Sequence, residues 1–343
     1  MTYLITGGSG FLGINLIRHL LARGAFIRSF DIAPFSYPEA ADIEAVTGDI
    51  RDFPALLRAM RDVDAVVHCA AALPLYSEQD IVSTDILGTR NVLEAARVSG
   101  ISRVVHISST AVYGILAHCP AFEDAPLVGV GPYGKAKIAA ESACLDYRAR
   151  GMCVPVIRPK SFVGPERLGV FSLLYDWASS GKHFPIIGNG RNRYQLLDVA
   201  DLCSFISLAL SADSRIANAT FNVGAREFLT VREEYQAVLD RAGFGKRVIA
   251  FPASPAIFAL RALHACRLSP IYPWVYETAG KDSYVSIAKA ERDLGYVPRY
   301  SNVDALLRNY EWYLANPPLP HVSGISHRVP WSGGALRFLK AFF

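Results

Sequence analysis

The chain has no run of about 18 or more apolar residues, so no membrane span is expected, although 51% of its 343 residues are hydrophobic. It has no cysteine pair in C-x-x-C spacing. Six thiols stand scattered at positions 69, 119, 144, 153, 203 and 266, the usage of a reduced, cytoplasmic protein with no metal site. It also lacks a strong charge of either sign: 35 basic against 31 acidic residues leave a net charge of +4, too small to argue for nucleic acid as a partner. No internal repeat or low-complexity segment is visible. With a first strand beginning at residue 3, no signal peptide is expected. Acid is missing from the end as well, since Arg328, Arg337 and Lys340 follow Glu311 with no further Asp or Glu.

What is present begins at once. Tyr3-Leu4-Ile5-Thr6 is a short apolar run, and Gly7-Gly8-Ser9-Gly10-Phe11-Leu12-Gly13 leads from it into an amphipathic stretch from Ile14 to Arg23. A strand, a tight turn and a helix N-terminus in this order make a pyrophosphate site from unpaired backbone N–H groups and the helix dipole. Gly7 allows the turn, Gly10 allows phosphates to approach the backbone, and Gly13 allows the helix to pack on the strand. A second strand, Phe26 to Phe30, ends at Asp31, about 20 residues on, where a carboxylate grips the adenosine ribose hydroxyls. That acid would repel a 2′-phosphate. No Arg or Lys follows it before Arg51, and Arg28 is the only nearby base, so NAD is favoured over NADP.

Strand and helix signals then alternate. Strands are expected at 45–49, 65–71, 103–109 and 154–158, with helices at 53–61, 81–99 and 132–150 between them. The alternation predicts an α/β fold, a Rossmann doubly wound parallel sheet, with a smaller mixed α/β substrate-binding domain. The boundaries expected are 1–162 for the dinucleotide-binding domain, with 196–222 returning to it, 163–195 and 223–315 for the substrate-binding domain, and 316–343 for a tail.

Tyr133-Gly134-Lys135-Ala136-Lys137 places Tyr133 and Lys137 on one helix face, and Ser109 closes a predicted strand. A phenol of ordinary pKa ~10 is a weak base near neutrality. A neighbouring ammonium and a cationic nicotinamide ring favour its phenolate. Tyr133 then exchanges a hydroxyl proton while hydride moves at the carbon, Ser109 bonds the same oxygen, and Lys137 also holds the nicotinamide ribose.

With these residues the chain resembles the extended short-chain dehydrogenase/reductase family, which includes NAD-dependent epimerases and dehydratases and 3β-hydroxysteroid dehydrogenase-like enzymes. The matching phrases are the glycine turn, Gly48-Asp49, His68-Cys69-Ala70-Ala71, Ser108-Ser109-Thr110-Ala111-Val112-Tyr113-Gly114, Tyr133 to Lys137, Arg158-Pro159, Phe221 to Gly224, Lys289 to Tyr296 and Trp312-Tyr313. They cover residues 1–315 in order. The resemblance implies catalytic Ser109, Tyr133 and Lys137. It implies cofactor contacts from Gly7, Gly10, Phe11, Leu12, Gly13 and Asp31, from Asp49 and Ile50 beside the adenine, from Ala70 and Ala71, and from Ser108, Tyr133, Lys137, Arg158 and Pro159. Thr110, Ser161 and Arg193 are implied substrate contacts, and Tyr113 a packed strand-end aromatic. It further implies a homodimer through helices 81–99 and 132–150.

Departures from the family pattern narrow the substrate. Sugar-nucleotide dehydratases carry an Asp-Glu pair directly after the catalytic Ser or Thr; here Thr110 and Ala111 stand there, which excludes a 4,6-dehydratase. The Asn that many epimerases carry after the sixth strand is Ser161, and the helix phrase Asn-Val-x-Gly-Thr is Asp85-Ile86-Leu87-Gly88-Thr89. Residues 252–276 are rich in Pro, Leu, Ile, Phe and Trp, as in the steroid- and lipid-handling branch. The expectation is therefore an NAD-dependent oxidoreductase of an apolar secondary alcohol or ketone, steroid-like or a keto-lipid. The alternative is a UDP-sugar 4-epimerase with tightly held NAD, for which Lys160, Arg167, Arg191 and Arg193 offer charge to a diphosphate. The intact Ser109, Tyr133 and Lys137 argue against a scaffold protein that has lost catalysis. The apolar tail at 331–343, with Arg337 and Lys340, is read as a weak membrane-surface contact, on the inner face of a membrane.

Overall fold

The computed structural model describes residues 1–265, 276, 278–317 and 340. They form two compact units. The first takes residues 1–162, 199–224 and 285–299; the second takes the described residues of 163–198, 225–284 and 300–343.

The first unit is built on seven parallel strands. β1 (Thr2–Thr6), β2 (Phe26–Asp31), β3 (Glu44–Thr47), β4 (Ala65–His68), β5 (Val104–Ile107) and β6 (Val156–Pro159) are joined by the strand Thr220–Val223. The spatial order is Thr220–Val223, β6, β5, β4, β1, β2, β3. All four residues of β4 and of β5 are buried, because central parallel strands are covered on both faces and read as unbroken apolar runs. Register follows from these runs, with Leu4 opposite both Arg28 and Val66 and His68 opposite His106. The strand order reverses between β1 and β4. In open α/β sheets the crevice for a ligand lies beyond the carboxyl ends of the strands at such a reversal.

The helices between these strands are α1 (Phe11–Leu21), α2 (Phe53–Ala59), α3 (Glu78–Ile81), α4 (Thr89–Val98) and α5 (Gly131–Ala149). Asp52 caps α2 by accepting the Ala55 N–H at 3.0 Å, and Ser77 caps α3 by accepting that of Asp80 at 3.1 Å, each relieving an unpaired first-turn donor. Pro132 sits in the first turn of α5, where its missing N–H costs nothing. The helix expected over 81–99 differs in one respect: between α3 and α4 the chain forms a seven-residue π-helical turn, Val82–Gly88.

Residues 285–299, expected within the substrate-binding domain, pack with the first unit. Val285 bridges to Ala121, Lys289 Nζ donates to the Thr220 carbonyl at 2.9 Å, and the Tyr296 ring packs edge-on to Phe205 at 5.2 Å. Apolar contact with the sheet side decides this placement, and sequence order does not reveal it.

In the second unit the strands Phe184–Ile187 and Val248–Phe251 pair in parallel. Helices Phe171–Ser179, Val231–Ala242 and Asn302–Ala315 enclose an apolar core in which Tyr175 stacks obliquely on Tyr310 and Tyr313, each 5.6 Å away. Asn302 ties the unit together: it accepts the Leu196 N–H and donates to the Tyr194 carbonyl, both at 2.8 Å. The first part of the apolar 252–276 segment is the helix Ala253–Ala265; most of its remainder lies outside the described residues. So does the tail apart from Lys340, whose Nζ lies 2.6 Å from Asp176 Oδ2. Among the described residues no helix is long and apolar enough to cross a membrane.

Candidate active site

The turn after β1 is shaped by backbone contact. Gly7 has φ +74°, and its N–H donates to the Phe30 carbonyl at 2.8 Å. A Cβ on Gly7 would lie 2.7 Å from Ala70 N, and one on Gly13 2.2 Å from the Gly7 carbonyl oxygen. The glycines thus press the turn against Ala70 on one side and α1 against the turn on the other. Gly10 is the N-cap of α1, with no side chain capping it, and a Cβ there would meet only Gly7 O, at 3.2 Å. This opening, with the first-turn N–H groups behind it, fits a pyrophosphate. Phe11 and Leu12 are buried, and the Phe11 ring stacks on Phe162 with centroids 5.4 Å apart.

Asp31 ends β2 beside this turn. Its carboxylate accepts the N–H groups of Ser9 at 3.0 Å and Ala33 at 2.9 Å. Burial pushes its pKa up, against the pull of those N–H groups. Arg28, the base that precedes Asp31 in β2, points elsewhere: it bonds Glu44 and the carbonyls of Ala59 and Arg61. Asp49 is paired with Arg51 at 2.6 Å, which holds its carboxyl below the usual range. Ile50 is buried and packs close to Gly88. Ala70 donates its N–H to Thr6 Oγ1 at 3.3 Å.

Ser109, Tyr133 and Lys137 are brought together at the carboxyl end of β5. Ser109 caps the short turn Thr110–Tyr113, its Oγ accepting the Ala111 N–H at 3.1 Å. A Cβ on Gly134 would stand 3.0 Å from the Ala111 carbonyl oxygen, so Gly134 lets α5 approach this turn and sets Tyr133 beside it. Lys137, 3% exposed, reaches back to the Ile107 carbonyl at 3.4 Å. Its Nζ lies 5.7 Å from the Tyr133 ring centre. Burial works against the ammonium, but the negative groups around it, Asp85 first, prevail and raise its pKa. His68 at the end of β4 is clamped between Thr6 Oγ1 at 2.7 Å and Thr89 Oγ1 at 3.0 Å. Burial, and secondarily Lys137, lowers its pKa to about 3.

Some expected cofactor contacts turn out to be committed inside the protein. Arg158 forms a buried ion pair with Glu141 at 2.6 Å and donates to Tyr113 Oη at 2.8 Å and the Glu123 carbonyl at 2.9 Å. Ser108 donates to Glu141 Oε1, and Tyr113 donates to Asn222 Oδ1 at 2.7 Å. Pro159 pairs in the sheet opposite Val223, and its carbonyl accepts from Thr110 Oγ1 at 3.3 Å. Through these bonds Ser108, Arg158 and Pro159 brace the strand ends. Ser161 lies in the first unit and Arg193 in the second, where the Arg193 guanidinium donates to Tyr284 Oη at 2.9 Å.

Two residues went unassigned by sequence reasoning. Glu141 completes a Tyr133–Lys137–Glu141 series at four-residue steps on α5, a signal that spacing carried. Asp85, buried in the π-helical turn, was visible only as a departure from a phrase.

The sequence pattern of the NAD dependent epimerase/dehydratase family matches residues 3–224. An uncharacterized protein, y4nG of Sinorhizobium fredii, is 36% identical over 96% of this chain and 83% of its own length. A 3 beta-hydroxysteroid dehydrogenase/Delta 5-->4-isomerase of Mycobacterium tuberculosis is 28% identical over 91% of this chain and 90% of its own. Among solved structures, a double mutant of DesIV of Streptomyces venezuelae, a dTDP-glucose 4,6-dehydratase with NAD bound, superposes with TM-score 0.74 at 26% identity, covering 92% of this chain and 98% of that one.

Proposed function

The chain belongs to the NAD dependent epimerase/dehydratase family and is an enzyme; from that premise we propose that it transfers hydride between NAD and the carbinol carbon of an apolar secondary alcohol, steroid-like or a keto-lipid. The observation that carries this reading is the turn after Ser109. It holds no ionisable group in its first two positions: Thr110 Oγ1 donates to the Pro159 carbonyl and Ala111 gives its N–H to Ser109. Eliminating water from a sugar needs an acid and a base; a plain oxidation or reduction needs neither there. Resemblance to the steroid dehydrogenase of M. tuberculosis supports the same choice.

The cradle around Gly10 and the carboxylate of Asp31 fit a dinucleotide, which supplies the hydride acceptor when bound. This chain's own residues do the rest. Ser109 Oγ donates a hydrogen bond to the substrate oxygen. Tyr133 Oη takes the hydroxyl proton during oxidation and returns it during reduction. The Lys137 ammonium stabilises the phenolate and bonds the nicotinamide ribose. Arg28, the base that precedes Asp31 in β2, is held by Glu44 and two backbone carbonyls, which supports NAD over NADP.

Purified protein is incubated with NADH and a panel of steroid and long-chain ketones while absorbance at 340 nm is followed. Turnover of one of them is expected. No turnover of any lipidic ketone, together with epimerisation of a UDP-sugar, would overturn the reading. That second reading draws its support from the sugar-nucleotide dehydratase superposition and from Arg193 in the Gly188-to-Arg193 loop. A homodimer through the helical pair 78–98 and 131–149 is part of the proposal, supported by exposed Val82, Leu87, Val98 and Leu145. Sedimentation at micromolar concentration should show twice the chain mass, and a single monomeric species would remove it.

A further inference from the structure

The helix Ala253–Ala265 in the second unit does not have the faces of a helix that meets water. A surface helix buries an apolar stripe and turns its charges outward. The helix before it in the chain, Val231–Ala242, does so: Val238 and Leu239 are buried, while Arg232, Glu233, Asp240 and Arg241 are exposed. Ala253–Ala265 has no acid in its first turn and, among its described side chains, none that is buried. Its exposed positions Ser254, Pro255, Phe258, Arg261 and Ala262 recur at helical spacing, so they share one face. Phe258 stands at the middle of that face and is 75% exposed. Phe251, at the end of the strand that feeds the helix, is exposed as well. A phenyl ring left in water forgoes a large hydrophobic gain, and a face centred on one calls for a cover.

The charge of the surrounding span indicates which cover. From Arg241 to Tyr276 the sequence holds Arg241, Lys246, Arg247, Arg261 and Arg267 and no Asp or Glu. The chain as a whole is nearly balanced, with 35 basic and 31 acidic residues, so this stretch is a local excess of one sign. Arg241 is paired with Glu311 at 2.7 Å, whereas Arg247 and Arg261 are exposed. Exposed Phe244 lies between the first two of these bases. The N-terminus of Ala253–Ala265 adds the positive end of its dipole, with no first-turn acid to offset it.

We propose that this face of the second unit docks on an anionic lipid surface, with Phe258 seated at the boundary of headgroups and acyl chains and the basic residues of the span over the phosphates. The inference concerns where the protein works and goes beyond the reaction proposed for it. Aromatic rings interleaved with bases of one sign suit a continuous anionic sheet. A second copy of the chain is the poorer occupant, because a two-fold contact would set the cationic span against itself. The contact is with the surface of the bilayer, since among the described residues no helix is long and apolar enough to cross it.

The test is sedimentation of the full chain with vesicles of phosphatidylcholine alone and with vesicles in which about a third of the lipid is phosphatidylserine. Wild type should bind the anionic vesicles, less so as salt is added, and should bind the neutral ones little. Phe258→Ser should weaken binding about tenfold, and Phe258→Trp should retain it, because indole also favours the interface. Phe122→Ser removes an exposed phenyl ring from the first unit and should leave the affinity within about twofold. All three sites are exposed or replaced by an aromatic, and the urea midpoint should stay at that of wild type. Absence of binding to anionic vesicles overturns the proposal, as does unchanged binding in Phe258→Ser or an equal loss in Phe122→Ser. So does a wild-type dimer that Phe258→Ser alone splits, which would give the face to a second copy. Neither cofactor nor substrate enters the assay, so its outcome is separate from that of the ketone panel.

Discussion

Replacing Arg158 by Met should strip stability from the protein while leaving its cofactor affinity nearly intact. Arg158 and Glu141 are each 6% exposed in their side chains and meet at 2.6 Å. The guanidinium Nε adds bonds to both Glu141 oxygens at 2.9 and 3.2 Å, and Nη1 serves Tyr113 and Glu123. Methionine fills comparable apolar volume but leaves the Glu141 carboxylate buried with Ser108 alone. Breaking a buried pair from one side costs about 3–5 kcal/mol, a large part of the roughly 5–15 kcal/mol that holds a domain folded. Equilibrium urea unfolding should show that loss as a lowered midpoint at unchanged slope. Replacing both residues, Arg158→Met with Glu141→Met, should recover most of it, because no charge is then left without a partner. Calorimetric titration of NAD into the folded single variant should give an affinity within about twofold of wild type, since the bonds Arg158 makes go to Glu141, Tyr113 and Glu123. Wild-type stability within ~1 kcal/mol combined with a tenfold loss of NAD affinity would refute this reasoning and restore Arg158 to the cofactor contacts.

Gly13→Ala and Gly10→Ala should separate folding from binding. The first drives a methyl to 2.2 Å from Gly7 O and 2.6 Å from Gly8 Cα and should cost about 3 kcal/mol in urea unfolding, whereas the second stays within ~1 kcal/mol yet loses NAD binding, because its methyl fills the space a phosphate needs. Acid should destabilise the fold through His68 and His106. Each is held neutral by burial, with His68 lowered to about 3 and His106 well below 6.5, while the unfolded chain takes up protons below pH ~6.5. Their stabilisation is therefore full above that pH and is lost as pH falls toward the folded values. Lowering the pH from 7.5 to 5.5 should cost about 1.4 kcal/mol for each, and a flat urea midpoint over that range would contradict it. Tyr133→Phe should lower kcat by about 10²–10⁴-fold with NAD affinity unchanged, and an unaltered kcat would remove Tyr133 from proton transfer.

The parts of the fold carried by short-range pattern were legible in the chain. The turn from Gly7 to Gly13, the acid at Asp31 and the apolar strands β4 and β5 are local facts, set by backbone freedom and by burial on both faces, and they appear in the structure where spacing placed them. The Tyr133–Lys137 pair is legible for the same reason, since a helix puts residues four apart on one face. The ion pair of Arg158 was not legible, because its partners Glu141 and Tyr113 lie 17 and 45 residues away. Residues 285–299 were assigned to the wrong unit because their packing partners, Ala121, Phe205 and Thr220, are far away in sequence.

By itself, then, the sequence determined a dinucleotide-binding α/β enzyme with a Ser-Tyr-Lys set, because glycine placement, strand periodicity and helical spacing act over a few residues. Only tertiary structure decided which polar side chains remain free to act. Arg158 and Ser108 are consumed by Glu141, Arg28 is turned away by Glu44, and Asp85 keeps one oxygen open inside the protein. A hydrogen-bonding group buried in a low-dielectric interior is defined by what else is buried with it, and chain order does not contain that neighbourhood.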